Sequence, residues 1–150
     1  MSAQVIAPPP LIYLGGLGAG FGLEAALPSA LLPGLVRYGV GGAMVLAGGA
    51  LARGFFRALA GAGTTVSPYS ESTALVTNGP YRVSRNPGDL GMALAYSGTA
   101  LLAGALWPFA TLGPTLALIE LGVIRREERY LERTFGHEYR EYRACTRRWV

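Results

Sequence analysis

Apolar residues fall into four blocks over the first 124 positions, with polar and turn-forming clusters between them. The first block covers residues 11–27, LIYLGGLGAGFGLEAAL, and the second covers 35–52, with Pro28 and Pro33 separating the two. The third covers 90–106 and the fourth 107–124, with Trp107-Pro108 as a tight hinge. Each block is about 17–18 residues long, the short end of what crosses a ~30 Å hydrocarbon core. Four such helices with no charged outer face are hard to solvate. The pattern predicts an all-α integral membrane bundle of about four transmembrane helices in a single domain. Residues 53–89 form the loop between the two halves.

After Ile124 the pattern changes to IRREERYLERTFGHEYREYRACTRRWV, charged and aromatic. Ile124, Leu131, Phe135, Tyr139 and Tyr142 recur at helical spacing. This predicts a C-terminal amphipathic cytoplasmic helix over 125–150, continuing from the fourth block. Gly136 is expected to break or kink it, and His137 to start the next helical turn.

Charge fixes the expected orientation. All 13 basic residues are arginine and the net charge is +4. Arg53, Arg57, Arg82 and Arg85 lie between the second and third blocks. Arg125, Arg126, Arg129, Arg133, Arg140, Arg143, Arg147 and Arg148 follow the fourth, and Arg37 alone falls elsewhere. The positive-inside rule then puts both termini and the 53–89 loop in the cytoplasm. A basic chain invites a nucleic-acid reading. This one is 51% hydrophobic and only 15% charged, against about 25% charged in soluble domains, so a membrane fits better and no nucleic-acid partner is expected. The arginine-only, alanine- and glycine-rich composition points to a bacterial inner membrane. The N-terminus MSAQVIAPPP lacks the basic start of a secretory signal and reads as a short tail.

One cysteine, Cys145, excludes an internal disulfide, and one histidine, His137, excludes a histidine metal cluster within one chain. Glycines recur at spacing four in the first block (Gly16 with Gly20, Gly18 with Gly22), and Gly41, Gly42, Gly48 and Gly49 populate the second. Small residues of this kind let membrane helices approach closely, within one chain or, as the lesser option, between two copies.

Three places carry candidate chemistry. The stretch LVTNGPYRVSRNPGDLG, residues 75–91, is a rigid turn just before the third block. Its prolines fix φ, its glycines let backbone approach a ligand, and Arg82 and Arg85 can hold a carboxylate by paired hydrogen bonds. The plainer reading is a boundary loop whose arginines face headgroups. Next, Glu127 and Glu128 flank the apolar stripe of the C-terminal helix. Carboxylates turned toward a core are costly unless they meet donors or a cation; the alternative is a surface pair balanced by Arg125 and Arg126. Last, Glu120 lies within the fourth block, where an ionisable group is a functional hypothesis by default, though pairing with an arginine at the interface also accounts for it. Glu24 reads as interfacial. Tyr130, Tyr139 and Tyr142 are either core aromatics or part of a cage for a cation.

The order of these motifs, G-P-Y-R-x-x-R-N-P, then a helical hairpin, then R-E-E-R-Y-L-E-R-x-F-G-x-E-Y-x-x-Y, resembles the isoprenylcysteine carboxyl methyltransferase family. Its bacterial relatives and the phospholipid methyltransferases belong to the same branch. The resemblance is closest from Gly79 to Val150 and extends more weakly to residues 55–68. It implies S-adenosylmethionine as cofactor, bound between the turn and the helix bearing the glutamate pair. Carried over, the cofactor-binding positions are Gly79, Pro80, Tyr81, Arg82, Arg85, Asn86, Pro87, Glu127 and Glu128. The catalytic candidates are Glu128, Asp89 and Arg85.

The family pattern has a tyrosine where this chain has Asp89. Three readings follow: Asp89 makes a polar contact to a differently bound cofactor, it serves as base for an acceptor with a proton to lose, or the chain has lost activity. The implied acceptor is a lipophilic carboxylate, thiol, amine or phospholipid that enters from the bilayer. A nicotinamide-dependent membrane reductase and a non-catalytic membrane scaffold are the rival readings.

Overall fold

The computed structural model describes residues 5–30, 32–64 and 72–150, and among them it is helical with no strand. Helix α1 spans Pro9–Ala26 with proline at its start, where a missing N–H is harmless. A π-helical turn, Leu35–Val40, leads into α2, Gly41–Gly61. A short 3-10 turn, Gly79–Arg82, precedes α3, Pro87–Ala103. Helix α4 spans Trp107–Ile119 and continues through a second π-helical turn, Glu120–Ile124, into α5, Arg125–Phe135. Helix α6 covers His137–Cys145.

The second helical run, Leu35–Gly61, continues nine residues past the boundary expected from hydropathy. Arg53 and Arg57, four apart, lie exposed on one face, while Leu59 is buried on another. The helix turns amphipathic there instead of ending, so the loop starts near residue 62. Leu35–Gly61 and Trp107–Phe135 are both long and apolar enough to cross a membrane. The outer faces of α1, α2 and α4 carry exposed Leu11, Leu14, Leu46, Phe109 and Leu118.

The α3–α4 hairpin is set by Gly104, whose φ of 75° ends α3. The N–H of Ala105 reaches the carbonyl of Ala100 at 3.0 Å and that of Gly104 reaches Leu101 at 2.9 Å, a glycine-terminated helix end. Helix α2 packs along α3, and α1 along α4. The glycines divide sharply at these seams. A Cβ on Gly48 would lie 2.6 Å from the Gly91 carbonyl oxygen, and one on Gly98 2.6 Å from that of Gly41. Gly42, Gly49, Gly18 and Gly22 meet nothing within 4 Å.

The expected break at Gly136 divides the 125–150 segment into two helices. Gly136 takes a φ of 53° between α5 and α6, a left-handed conformation that glycine adopts without strain. His137 is the first residue of α6. The last five residues are not helical; they fold back on the chain, with Trp149 against the core. That core, Val5, Tyr13, Tyr96, Ile119, Val123, Ile124 and Tyr130, joins the start of α1 to the α4–α5 junction. The Gly122 carbonyl accepts the Ile6 N–H at 3.2 Å.

Candidate active site

The start of α1, the end of α2, residues 72–76, the start of α3, α5 and α6 converge on one cavity of about 570 Å3, within the ordinary size of a small-molecule site. The turn at 79–91 forms one wall. Tyr81 N–H reaches the Asn78 carbonyl at 3.1 Å, and the Tyr81 ring lies 6.1 Å from that of Phe55. Tyr142 donates its hydroxyl to the Tyr81 carbonyl at 2.7 Å, tying α6 to the turn. Ser84 Oγ accepts the Asn86 N–H at 3.1 Å, and Pro87 opens α3 with Asp89 in its first turn.

Among the residues singled out by sequence, Tyr81, Arg85, Asn86, Pro87, Asp89, Glu127 and Glu128 line this cavity. Gly79, Pro80 and Arg82 do not. Gly79 supplies a φ of 57° for the turn, the Pro80 ring packs beside Gly54, and Arg82 is exposed. The two arginines of the turn therefore part: Arg82 stands at the surface and Arg85 in the wall. Glu120 is also outside the cavity, accepting from Arg125 Nε at 3.2 Å and from Arg148. Glu24 is at the far end of the bundle. It accepts the backbone N–H of Leu106 at 2.9 Å and of Trp107 at 3.2 Å, capping α4.

Glu128 is held twice. Arg85 Nη2 lies 2.8 Å from its Oε1, Arg148 Nε 3.0 Å from Oε1, and Arg148 Nη2 2.6 Å from Oε2. Burial works to raise its pKa, but the two guanidinium groups outweigh that and keep it below the usual carboxylate range. Asp89 is the reverse case. It is 6% exposed and its Oδ1 has no hydrogen-bond partner among the described residues. Burial pushes its carboxyl up to about 7. Glu127, half-buried beside it, is pushed up to about 8 by burial and then by the charges of Asp89 and Glu128.

Two more polar atoms of the wall lack partners among the described residues: Arg85 Nε and the hydroxyl of Tyr139, which is 1% exposed. Tyr139 and Tyr130 line the cavity with Tyr142, so all three tyrosines named as core aromatics or cage candidates face it. The rest of the wall is apolar, with Phe55, Phe56, Leu59, Met92 and Leu131. Sequence reasoning missed Phe55, Phe56, Leu59 and Met92 as site residues. Phe55, Phe56 and Leu59 fell in the expected 53–89 loop, and Met92 in an apolar block where it looks like any other core side chain. An acceptor (Asp89), donors (Arg85, Tyr139) and an apolar wall make this a place for a partly apolar ligand carrying both positive and hydrogen-bonding groups.

Residues 36–138 match the phospholipid methyltransferase family, well over half of the chain. The chain belongs to that family. The match takes in the 79–91 turn, Asp89 and both glutamates, and it stops in the first turn of α6. An uncharacterized protein of Haemophilus influenzae is 44% identical over 55 residues, 33% of this chain and 87% of that protein. No solved structure matches the chain. As a phospholipid methyltransferase family member the chain is placed among membrane methyltransferases.

Proposed function

We propose that this chain is an S-adenosylmethionine-dependent methyltransferase acting on a lipophilic acceptor at the cytoplasmic face of a bacterial inner membrane. The observation that carries the reading is Asp89 Oδ1, buried and without a partner among the described residues, in the wall of a cavity it shares with Glu127. A buried carboxylate without a partner is costly, and a cationic ligand removes that cost. Asp89 and Glu127 would meet the positive charge of the cofactor. Arg85 Nε and the Tyr139 hydroxyl would meet its carboxylate or ribose oxygens. When bound, the cofactor supplies an electrophilic methyl group on a sulfonium.

The chain's own share of the chemistry is positioning and exclusion of water. Phe55, Met92 and Leu131 keep the wall apolar, and a fixed geometry for two reactants is worth on the order of 7–11 kcal/mol of barrier. In this reading the four spans are residues 11–27, 35–52, 90–106 and 107–124, and Asp89, the end of α2, α5 and both termini lie on the cytoplasmic side by the arginine distribution. The acceptor enters sideways from the bilayer. Pro10 at the start of α1 and Phe56 near the end of α2 are exposed and both reach the cavity, which supports an opening between those helices.

The reductase reading draws nothing from the family match. The scaffold reading has no use for Asp89 and Glu127 as the cavity holds them. Calorimetric titration of the detergent-solubilised protein with S-adenosylmethionine tests the proposal. Saturable binding weakened by Asp89→Asn and by Glu127→Gln is expected. A folded wild type that takes up no cofactor would overturn it.

A further inference from the structure

The C-terminal tail lies beyond the part of the chain that matches the family, yet it is bonded to the site along its length. Arg85 Nη1 donates to the Thr146 carbonyl at 2.9 Å and to that of Arg143 at 3.1 Å. The backbone N–H of Arg85 donates to the Arg147 carbonyl at 2.9 Å. The Arg148 carbonyl accepts from Ser84 Oγ at 3.0 Å and Asn86 Nδ2 at 3.3 Å. Three successive tail carbonyls thus bind three successive residues of the turn, and Trp149 fastens the tail to the core.

The side chain of Arg148 works in the other direction, toward α5. Nε and Nη2 both serve Glu128, and Nη1 serves Glu120. The planar fork satisfies two carboxylates eight residues apart, which a lysine ammonium cannot do in the same geometry. Glu128 is 10% exposed at its side chain and Arg85 9%, against 29% for Arg148 and 21% for Glu120, so the cluster is dry on its cavity side and each charge has a partner. Both oxygens of Glu128 are taken. The carboxylates left over in the cavity are Glu127 and Asp89.

We infer that Arg148 is a positioning residue of this site: it locks the 84–86 turn and Glu128 in one register, so that Glu127 and Asp89, and not Glu128, present carboxylates to the ligand. The inference rests on the cofactor reading for the ligand's identity, but the register itself does not depend on it.

The test uses the full-length protein in detergent, with S-adenosylmethionine as probe. Arg148→Gln, Arg148→Lys, Glu128→Gln, Glu127→Gln and the Arg148→Gln/Glu128→Gln double variant are titrated by calorimetry across about pH 4–9, which takes in the ordinary carboxylate range and that of the perturbed carboxyl groups. Arg148→Gln and Glu128→Gln are each expected to weaken binding about tenfold, and the double variant no further than either alone, because the two act as one unit. Arg148→Lys recovers part of the loss. In Arg148→Gln the affinity acquires an additional acid limb as Glu128 titrates nearer its ordinary range, a change that general loosening of the fold does not produce. Losses that multiply in the double variant, or a Glu128→Gln loss exceeding that of Glu127→Gln, would show Glu128 touching the ligand and overturn the inference.

If Arg148→Gln does not fold, Glu128→Gln/Arg148→Met removes the arginine without leaving Glu128 as a buried charge that has lost its partner. Affinity equal to Glu128→Gln alone supports the inference, and a further drop overturns it. Amide hydrogen exchange over residues 78–91 separates the two claims. Faster exchange in Arg148→Gln, with no cofactor bound by folded wild type, removes the cofactor reading and leaves the positioning role standing. Unchanged exchange overturns the positioning role whatever the titration shows.

Discussion

Glu127 and Glu128 are neighbours in the chain and stand in opposite electrostatic surroundings. Glu128 receives three charged hydrogen bonds from Arg85 and Arg148. Glu127 lines the same cavity, where the charges of Asp89 and Glu128 add to burial in raising its pKa. One step along α5 turns the side chain by about 100°, since an α-helix has 3.6 residues per turn, and that rotation separates a braced carboxylate from an available one.

This difference predicts a pH dependence with a definite sign. The Asp89 carboxyl is raised from 3.8 to about 7, and that of Glu127 from 4.5 to about 8. The folded chain therefore binds more protons than the unfolded chain between those limits, and stability contributed at these positions falls as pH rises through the window. Asp89→Asn is expected to raise the stability of the ligand-free protein at pH 8 by about 1–3 kcal/mol and to flatten the slope. Affinity for a cationic ligand moves the other way, rising from pH 6 to 8 as the carboxyls ionise. Thermal unfolding of wild type and Asp89→Asn at several pH values checks the first part. Parallel curves for the two proteins would refute it.

Arg85→Lys is expected to be a severe change despite the conserved charge. Arg85 serves Glu128 and the carbonyls of Arg143 and Thr146 with two nitrogens of one rigid fork. A lysine ammonium reaches one or two of these partners and leaves the rest buried without a donor. The expected loss is about 1–3 kcal/mol, seen as a lower Tm with the helix content of the folded protein intact. A Tm equal to that of wild type would mean that the tail is not held by this side chain.

The halves of this site were unequally legible in the sequence. The turn, its Arg85 and the glutamate pair stand in compact motifs, so their meeting could be anticipated from local pattern and family resemblance. Asp89 drew notice because it breaks the family pattern. Arg148 gave no such signal. It is one of eight arginines after Ile124, and its partners lie 20 and 28 residues away along the chain, a relationship that appears only once the tail folds back. Glu120, inside an apolar block, could be read as functional or as paired with an arginine; the same tail arginine, with Arg125, gives the second reading. Helix α2 was cut short for a related reason. Arginines at 53 and 57 mark the end of an apolar block, but hydrogen bonding and helical propensity do not stop where hydropathy does.

Adjacent glycines, indistinguishable by composition, are predicted to differ in cost. Gly48→Val would bring a Cβ to 2.6 Å from the Gly91 carbonyl oxygen, whereas Gly49→Val meets nothing within 4 Å. Parting α2 from α3 to admit the side chain is expected to cost about 1–3 kcal/mol, and Gly49→Val to leave packing within the bundle untouched. Unfolding of both variants in detergent gives the comparison. Equal midpoints would mean that α2 and α3 do not meet at the close seam described here.

At the end of the bundle away from the cavity, Glu24 joins α1 to α4. Its Oε2 accepts the N–H groups of Leu106 and Trp107, and its Oε1 accepts from the backbone N–H and hydroxyl of Ser29, both at 2.6 Å. The first N–H groups of a helix have no partner within it, and Pro108 removes one of them from α4. Glu24 thus does from another helix what a capping residue does locally. Glu24→Ala is expected to lower the unfolding midpoint, and Glu24→Gln to lower it less, since its amide oxygen still accepts. Cofactor affinity should be unchanged in both once each is measured on folded protein, because the cap acts at the far end from Asp89 and Glu127. Thermal unfolding and calorimetry on the same samples read the two quantities separately. A loss of affinity matching the loss of stability would show that the two ends of the bundle are coupled through α4, and that the site depends on more than the turn, α5 and the tail.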